Sequence, residues 1–201
     1  FFFHPHAGIR DSVASRGLGD VYKRQLLLRV IAAIRGASIG LFWVIGGDER
    51  IMRLVRNHDG IWLPDTGRNL NDTLAKAFVK ADQENYSSLY LPGDLPFIKP
   101  SDVINLIRSS RNGSNITLAP ARSDGGTNGI LVPQNINFQP ELGHRSFAKH
   151  LAKAAKMEIS VAICYSPGLG FDLDTVDDLE KYEHMEPGLL KRLVPTWNSQ
   201  K

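Results

Sequence analysis

The stretch Ser88-Leu89-Tyr90-Leu91-Pro92-Gly93-Asp94-Leu95-Pro96 predicts the fold of the chain around it. It begins with a short, mostly apolar run of the kind that becomes a buried strand. Pro96 removes a backbone donor and stops the strand, and Asp94 lies just beyond the strand end. Pro100 then opens a helix that is predicted to run to about Ser109. A strand, a polar turn and a helix in this order form the unit of an α/β sheet, in which ligands bind beyond the strand ends.

Strands and helices alternate on both sides of this unit. Further strands are predicted over residues 39–45, 60–63, 115–119, 130–132 and 158–165. Further helices are predicted over residues 26–35, 49–56, 69–81 and 145–156, and a last one begins after a cap at Thr175. Alternation of this sort is typical of βαβ units. The sequence therefore predicts a single α/β domain with a mostly parallel sheet and helices on both faces.

The composition is that of an ordinary globular domain. The chain has 201 residues, of which 42% are hydrophobic and 22% charged, enough for one sizeable core. The net charge of +3, without a basic stripe, does not predict a nucleic-acid partner. No apolar run approaches the roughly 18 residues that predict a membrane span. Cys164 is the single cysteine, which excludes an intramolecular disulfide and a cysteine metal cluster and fits a cytoplasmic protein.

Residues 1–25 differ in character from the rest. They show no helix or strand period, and the stretch from Gly8 to Gln25 resembles translated sequencing-adapter read-through. We therefore expect residues 1–25 to be a non-native segment and residues 26–201 to form the domain. The alternative is a genuine mobile amino terminus. His4 and His6 are not expected to bind a metal, because exposed histidines without supporting partners rarely form a specific site.

A second acidic segment, Phe171-Asp172-Leu173-Asp174-Thr175-Val176-Asp177-Asp178-Leu179, follows the last predicted strand. Asp172 and Asp174 are two residues apart in extended chain, so their side chains are predicted to point to opposite sides. Asp174 adjoins the helix cap and is the better partner for Asp94 in a metal site. Mg²⁺ takes one or two carboxylates together with phosphate oxygens and water. Two strand-end aspartates can provide the carboxylates. For Asp94 alone, a turn aspartate that satisfies local amides is an equally good interpretation.

Two glycine-containing turns could hold an anion. Gly125 and Gly126 allow close approach of the backbone, and Thr127 adds a hydroxyl directly after them. Gly143 precedes a predicted helix, where free amides, the helix dipole and the Ser146 hydroxyl could converge on a phosphate or carboxylate. The alternatives are an ordinary turn for the first pair and a simple helix N-cap for the second.

Other polar residues carry weaker signals. Asn71 could contact a base or a ribose, and the alternative is that it serves only the start of its helix. Cys164 lies in an apolar strand and is expected in the core. Four histidines have no catalytic-triad partner at a recognisable spacing, namely His58, His144, His150 and His184.

Four motifs resemble one enzyme family when they are taken together in their order and spacing. They are LPGDLPFIKPSD (residues 91–102), SDGGTNGILV (123–132), FQPELGHRSFAKHLAKA (138–154) and PGLGFDLDTVDDL (167–179). Over residues 26–183 the chain resembles the guanylyltransferases of deazaflavin-coenzyme (F-420) biosynthesis, which use 2-phospho-L-lactate or phosphoenolpyruvate. The resemblance implies a Rossmann-like nucleotidyltransferase fold of the nucleotide-diphospho-sugar transferase type.

The same resemblance implies the reactants and the roles of individual residues. GTP and Mg²⁺ are expected, with a phosphorylated three-carbon acid as acceptor. The metal would be bound by Asp94, Asp172 and Asp174, of which Asp94 and Asp174 are expected to be catalytic. Acceptor binding is implied for Thr127, Gly143 and Ser146, and nucleotide binding is expected of Asn71, Gly125 and Gly126. The oligomeric state is left open, with a homodimer as one option.

One departure from the family pattern lies at the amino terminus. Family members begin with a strand that leads into a lysine-rich loop for the triphosphate, and residues 1–25 take that place here. The first strand and the loop are therefore expected to be missing from this chain. Two alternatives stay open. One is another nucleotidyltransferase, such as a molybdenum-cofactor guanylyltransferase or a sugar-nucleotide synthase, and the other is a non-catalytic nucleotide-binding remnant.

Overall fold

The computed structural model describes residues 2–3, 13–122, 124–173 and 176–193. In chain order the strands are β1 (Phe2–Phe3), β2 (Trp43–Ile45), β3 (Ile61–Leu63), β4 (Ser88–Tyr90), β5 (Ile116–Pro120), β6 (Thr127–Val132) and β7 (Val161–Ile163). The helices are α1 (Val13–Gly36), α2 (Glu49–Arg56), α3 (Leu70–Gln83), α4 (Pro100–Ser109), α5 (Ser146–Lys156), α6 (Val176–Met185) and α7 (Leu189–Leu193). A short 3₁₀ turn (Pro167–Leu169) follows β7.

The strands of the described residues form one seven-stranded sheet in the order β3-β2-β1-β4-β6-β5-β7. Four neighbouring pairs are parallel, namely β3–β2, β2–β1, β1–β4 and β5–β7. The strand β6 runs antiparallel to both β4 and β5, so those two strands point the same way. The prediction of a mostly parallel α/β sheet is confirmed.

Successive strand residues pack on opposite faces of the sheet, as the two-residue period of a strand requires. On one face, Val44, Leu89 and Leu131 pack against residues of α1, α2 and α4. On the other face, Tyr90 and Ile130 pack against residues of α3 and α5. The predicted arrangement of helices on both faces is confirmed, and it leaves the strand ends as the surface for ligands.

The predicted element boundaries agree with the structure to within about two residues except at α1, β2, β6 and β7; β2 covers only Trp43–Ile45 of the predicted 39–45. Helix α2 spans Glu49–Arg56 as predicted, and α4 spans Pro100–Ser109. Strand β6 begins at Thr127 instead of residue 130, because Thr127–Gly129 continues the ladder with Ala119–Pro120 of β5. The last strand is shorter than residues 158–165, since its ladder with β5 covers only Val161–Ile163.

The amino-terminal region differs from the expected domain start at Leu26. Helix α1 begins at Val13, and Tyr22 is buried with Leu26 against Leu173 and Tyr182, because one helical turn separates Tyr22 from Leu26 on the same face. The first strand was expected to be missing, yet Phe2–Phe3 pair with β2 and β4 at that place. Two aromatic residues suit a slot between two buried strands. Whether residues 1–25 are native stays a prediction, and His4 and His6 lie outside the described residues.

None of the helices in the described parts of the chain is long and apolar enough to cross a membrane.

Candidate active site

The carboxyl ends of β4, β5 and β7 and the start of β6 lie at one edge of the sheet, called the carboxyl edge below (residues 91–96, 120–122, 124–127 and 164–173). Strand β4 ends at Tyr90, which pairs with Ile130 of the antiparallel β6. Strand β6 begins at Thr127, which pairs with Pro120 at the end of β5. Because antiparallel neighbours run in opposite directions, the start of β6 lies beside the turn that follows β4. Thr127 and Asp94 therefore lie at the same edge of the sheet.

The two acidic segments predicted from the sequence meet at the carboxyl edge. The Leu173 amide donates a hydrogen bond of 3.0 Å to the carbonyl oxygen of Asp94. Burial, followed by the negative charges of Asp94 and Asp172, raises the pKa of the Tyr90 hydroxyl well above its ordinary value. Both carboxylates thus act on one phenol group, which indicates that they lie near the end of β4 together.

Three aromatic rings pack together at the second acidic segment. The rings of Phe97, Phe171 and Tyr182 lie 5.2 to 5.9 Å apart between centroids, in edge-to-face contacts. The Tyr182 hydroxyl donates a hydrogen bond of 2.7 Å to the carbonyl oxygen of Asp172. Tyr182 belongs to α6, so the first helix after the segment also holds its backbone in place.

The carboxylates of the carboxyl edge fit a magnesium ion. Asp94 and Asp172 each have one carboxylate oxygen buried from solvent. Asp174 and Thr175, which were predicted as metal ligand and helix cap, lie outside the described residues. Within the described ranges, no three or more His, Cys, Asp and Glu side chains gather as a metal cluster. Two hard oxygen ligands fit Mg²⁺ that completes its shell with phosphate oxygens and water.

A buried carboxylate that was not predicted from the sequence anchors the loop leading to Asp172. Asp102 is only 4% exposed and accepts hydrogen bonds from the Lys99 amide at 2.8 Å and the Gly168 amide at 3.3 Å. The Ser166 hydroxyl donates to the same carboxylate. These contacts tie the amino end of α4 to the 3₁₀ turn after β7. The chain that carries Asp172 therefore starts from a fixed position.

The glycine turn before β6 is held by a hydrogen bond to the Asp124 side chain and by a backbone hydrogen bond to α5. Gly125 has a φ of +71°, a left-handed conformation that glycine adopts without strain. The Gly126 amide donates a hydrogen bond of 2.7 Å to the Asp124 carboxylate. The Gly125 carbonyl accepts a hydrogen bond of 3.1 Å from the Phe147 amide of α5. The turn thus positions the start of β6 against α5, and the predicted role of these glycines at the nucleotide stays a prediction.

Thr127 and Ser146 come together across the start of β6 and the first turn of α5. The Ser146 hydroxyl donates a hydrogen bond of 3.1 Å to Thr127 Oγ1. His150, one turn further along α5, has its Nδ1 atom 3.0 Å from Thr127 Oγ1. All three side chains are buried, with exposed fractions of 5%, 1% and 0% for Thr127, Ser146 and His150. Two of the predicted acceptor residues are therefore neighbours in one polar network.

The Glu141 amide fixes the tautomer of His150, and burial keeps its ring neutral. Its Nε2 atom accepts a hydrogen bond of 2.8 Å from the Glu141 amide, so the ring proton is on Nδ1 and is donated to Thr127. Burial lowers the pKa of His150 to about 4, a decrease that the positive charges of Lys153 and Lys149 favour and the negative charge of Glu141 opposes. The imidazole is thus neutral at physiological pH.

Asn71 holds the loop that carries Gly143. Its side-chain oxygen accepts a hydrogen bond of 2.7 Å from the Leu142 amide, and its side-chain nitrogen donates to the Leu142 carbonyl at 3.1 Å. Gly143 follows with a φ of +115°, and its carbonyl oxygen accepts the Ser146 amide at 3.0 Å. The Asn71 amide therefore positions the predicted acceptor loop, while its role at the nucleotide stays a prediction.

Three residues of the site were not predicted from the sequence. Asp102 and His150 bind partners far away in the chain, and Arg122 lies beside the second acidic segment. The Arg122 guanidinium is 5.2 Å from the centre of the Phe171 ring, and its amide donates to the Gly170 carbonyl at 2.9 Å. For His150 a signal existed, because Ser146 and His150 are four residues apart and share one face of a helix.

The pKa of His150 leads to a prediction about stability. Folded His150 titrates near pH 4 and the unfolded residue near its ordinary value of 6.5, so the unfolded chain binds more protons between these values. We expect this residue to lower the free energy of unfolding by roughly 2 kcal/mol as the pH falls from 7 to 5. Urea unfolding at both pH values measures the change. His150→Asn should lose most of it and exposed His144→Asn should keep it; equal slopes in all three proteins would contradict the assignment.

Comparisons with known proteins show the family and the fold of the chain. The sequence family described as guanylyl transferase CofC like matches residues 12–185. A phosphoenolpyruvate guanylyltransferase of Rubrobacter xylanophilus is 31% identical over 176 residues, which are 87% of this chain and 84% of the relative. A 3-phospho-D-glycerate guanylyltransferase of Phenylobacterium zucineum is 29% identical over 76% of this chain and 72% of the relative. A solved structure from Desulfovibrio desulfuricans G20, classed by its description with nucleotide-diphospho-sugar transferases, has a TM-score of 0.66. It is 17% identical and covers 95% of this chain and 88% of its own.

Proposed function

The chain belongs to the guanylyl transferase CofC-like family, and on this basis we propose that it transfers GMP from GTP to a phosphorylated three-carbon acid. A phosphate oxygen of the acid attacks the α-phosphorus of GTP and forms a new phosphorus–oxygen bond. The bond between the α-phosphorus and the bridging oxygen breaks, and pyrophosphate leaves with its electron pair. The attacking phosphate is already ionised at neutral pH, so no residue has to act as a general base.

Asp94 and the second acidic segment supply the negative charge that a metal needs. When bound, Mg²⁺ supplies charge neutralisation of the triphosphate at the α-phosphate. Asp94 and Asp174 are the proposed catalytic ligands, and Asp172 is the third proposed ligand. Arg122 at the same edge would contact a phosphate or the leaving pyrophosphate, because its planar guanidinium suits phosphate oxygens.

Thr127, Gly143 and Ser146 are the proposed binding residues for the acceptor. Gly143 has an exposed backbone with open space where a side chain would be, so an anion can approach it closely. The Thr127 hydroxyl, at the start of β6, is bonded to the Ser146 hydroxyl in the first turn of α5, where the helix dipole favours a carboxylate or phosphate. Holding the acceptor next to the triphosphate supplies the positioning that this reaction requires most, since both reactants are anions.

The observation that carries the proposal is the hydrogen bond between the Leu173 amide and the Asp94 carbonyl. It joins two acidic segments that are far apart in the sequence, at the edge of the sheet where Thr127 begins β6. If these aspartates only stabilised their own turns, the two acidic segments would not have to lie together beside the buried Thr127 and Ser146 hydroxyls. The convergence matches a reaction between a metal-bound nucleotide and a small acid, as in coenzyme F-420 biosynthesis.

The acceptor is tested by product analysis. The chain is incubated with GTP, MgCl₂ and one of phosphoenolpyruvate, 2-phospho-L-lactate or 3-phospho-D-glycerate, and the products are identified by mass. We expect pyrophosphate together with the guanylylated form of at least one acid. A sugar phosphate and a molybdopterin acceptor are tested in parallel, and pyrophosphate release with only one of these would favour the other nucleotidyltransferase class instead.

A non-catalytic nucleotide-binding domain is distinguished by ligand binding. If the chain holds GTP at the carboxyl edge, GTP with Mg²⁺ should raise its unfolding temperature, because a ligand that binds only the folded state stabilises it. Stabilisation without product would indicate a binding domain. If GTP neither stabilises the chain nor is converted to product, the proposed function is overturned for this chain.

A further inference from the structure

We infer that His150 is a positioning residue that makes Thr127 an obligatory hydrogen-bond donor toward the acceptor, an inference that rests on the proposed function. Both ring nitrogens of His150 are engaged within the protein, by Thr127 and by the Glu141 amide, so His150 has no polar atom left for a substrate. It acts instead through the hydroxyl oxygen of Thr127, which lies 3.0 Å from its Nδ1 atom. The consequence is a preference for an anionic oxygen of the ligand at that place.

The argument follows from the capacity of a hydroxyl group. The Thr127 oxygen has two lone pairs and one proton. One lone pair accepts the proton of His150 Nδ1, and the other accepts the proton of the Ser146 hydroxyl at 3.1 Å. The remaining hydrogen-bonding capacity of Thr127 is its own proton, which it can only donate. A carboxylate or phosphate oxygen is the strongest acceptor for it.

The protein backbone fixes the direction of this chain of hydrogen bonds. The Glu141 amide donates to His150 Nε2 at 2.8 Å, and a backbone amide nitrogen can act only as a donor. If Nε2 carried the ring proton, two donors would face each other in a buried place. The loop is held from its other side by Asn71, which binds both backbone groups of Leu142. The tautomer of His150, and with it the polarity of Thr127, is therefore set by the same loop that carries Gly143.

Two substitutions separate this role from simple support of the loop. In His150→Asn the side-chain nitrogen takes the position of Nδ1 and can still donate to Thr127, but the contact with Glu141 is lost. In His150→Gln the side-chain oxygen takes the position of Nε2 and can still accept from Glu141, but the donor to Thr127 is lost. We expect the Asn variant to bind phosphoenolpyruvate within about threefold of the unsubstituted chain. The Gln variant should bind it about tenfold more weakly, the effect of one hydrogen bond to a charged group.

Calorimetric titration of the full chain with phosphoenolpyruvate, 2-phospho-L-lactate and 3-phospho-D-glycerate, and separately with GTP and Mg²⁺, gives the readout. GTP affinity should stay within about twofold in both variants, since His150 acts on the acceptor only. In a Thr127→Val background, His150→Gln should cause no further loss, because both changes remove the same interaction. Nitrogen NMR of the histidine rings should show His150 protonated on Nδ1 in the unsubstituted chain.

The results separate three cases: His150 acts on Thr127, His150 only supports the loop, or the chain does not bind the acceptor. A stronger loss in His150→Asn than in His150→Gln would show that His150 only supports the loop and would overturn the inference. An Nε2-protonated ring, or additive losses with Thr127→Val, would do the same. Absence of binding by all three acids to the unsubstituted chain would overturn the proposed function and this inference with it.

Discussion

Asp94→Asn should lower the rate of pyrophosphate release about a thousandfold, the loss expected when a ligand to a catalytic metal is removed. The substitution keeps the shape of the side chain and its position beyond β4, and removes only the charge. The Leu173–Asp94 hydrogen bond uses the backbone carbonyl, so it survives the change. The loss should therefore appear in the rate and the magnesium dependence, and the unfolding temperature should change little.

The matched control for Asp94 is Glu180→Gln, which removes one negative charge from an exposed position of α6. Manganese binding, followed by paramagnetic broadening, gives a readout that does not depend on turnover. We expect Asp94→Asn to weaken it at least about tenfold, as loss of one of the three proposed charged ligands implies. If the unsubstituted chain shows no turnover, the same variants are compared after replacing residues 1–25 with the corresponding segment of the Rubrobacter xylanophilus relative. Full activity of Asp94→Asn would reject the metal assignment.

Gly168→Ala is the substitution with the largest expected effect on stability. A Cβ atom at Gly168 would lie 2.2 Å from Asp102 Oδ2 and 2.8 Å from the Cα atom of Ile98. The second contact is with backbone, so the loop itself has to move. That movement would strain the hydrogen bonds to the buried Asp102 carboxylate. We expect a loss of about 3 kcal/mol in the free energy of unfolding, the upper part of the range for an overpacked core.

Gly40→Ala is the control for the Gly168 variant, because a Cβ atom there meets nothing within 4 Å. It should leave the free energy of unfolding unchanged or slightly higher, since alanine restricts the unfolded chain. Urea unfolding of the three proteins in parallel measures both effects. Equal stability of the Gly168 and Gly40 variants would show that the 3₁₀ turn after β7 is not held by Asp102 as described.

Much of the site was predictable because some of its signals are local. Asp94 follows a strand and is stopped by Pro96, and the second acidic segment precedes a helix, so both were predicted at the ligand edge of the sheet. The family resemblance implied that Thr127 and Ser146 bind the same acceptor, and the structure places the two side chains in hydrogen-bond contact. By contrast, the start of β6 at Thr127 was missed, because Thr127–Gly129 reads as a glycine turn until its ladder with β5 is seen.

The sequence by itself determined the α/β class, the order of most elements and the two acidic segments, since hydrophobic period, proline and glycine act over a few residues. Tertiary structure alone decided which polar groups meet. The bond between His150 and Thr127, the bonds of Asp102 with Ser166 and Gly168, and the two contacts of Asn71 with Leu142 join residues from separate elements. Such contacts depend on strand register and helix packing, which are set by the whole core, and a local pattern of residues does not encode them.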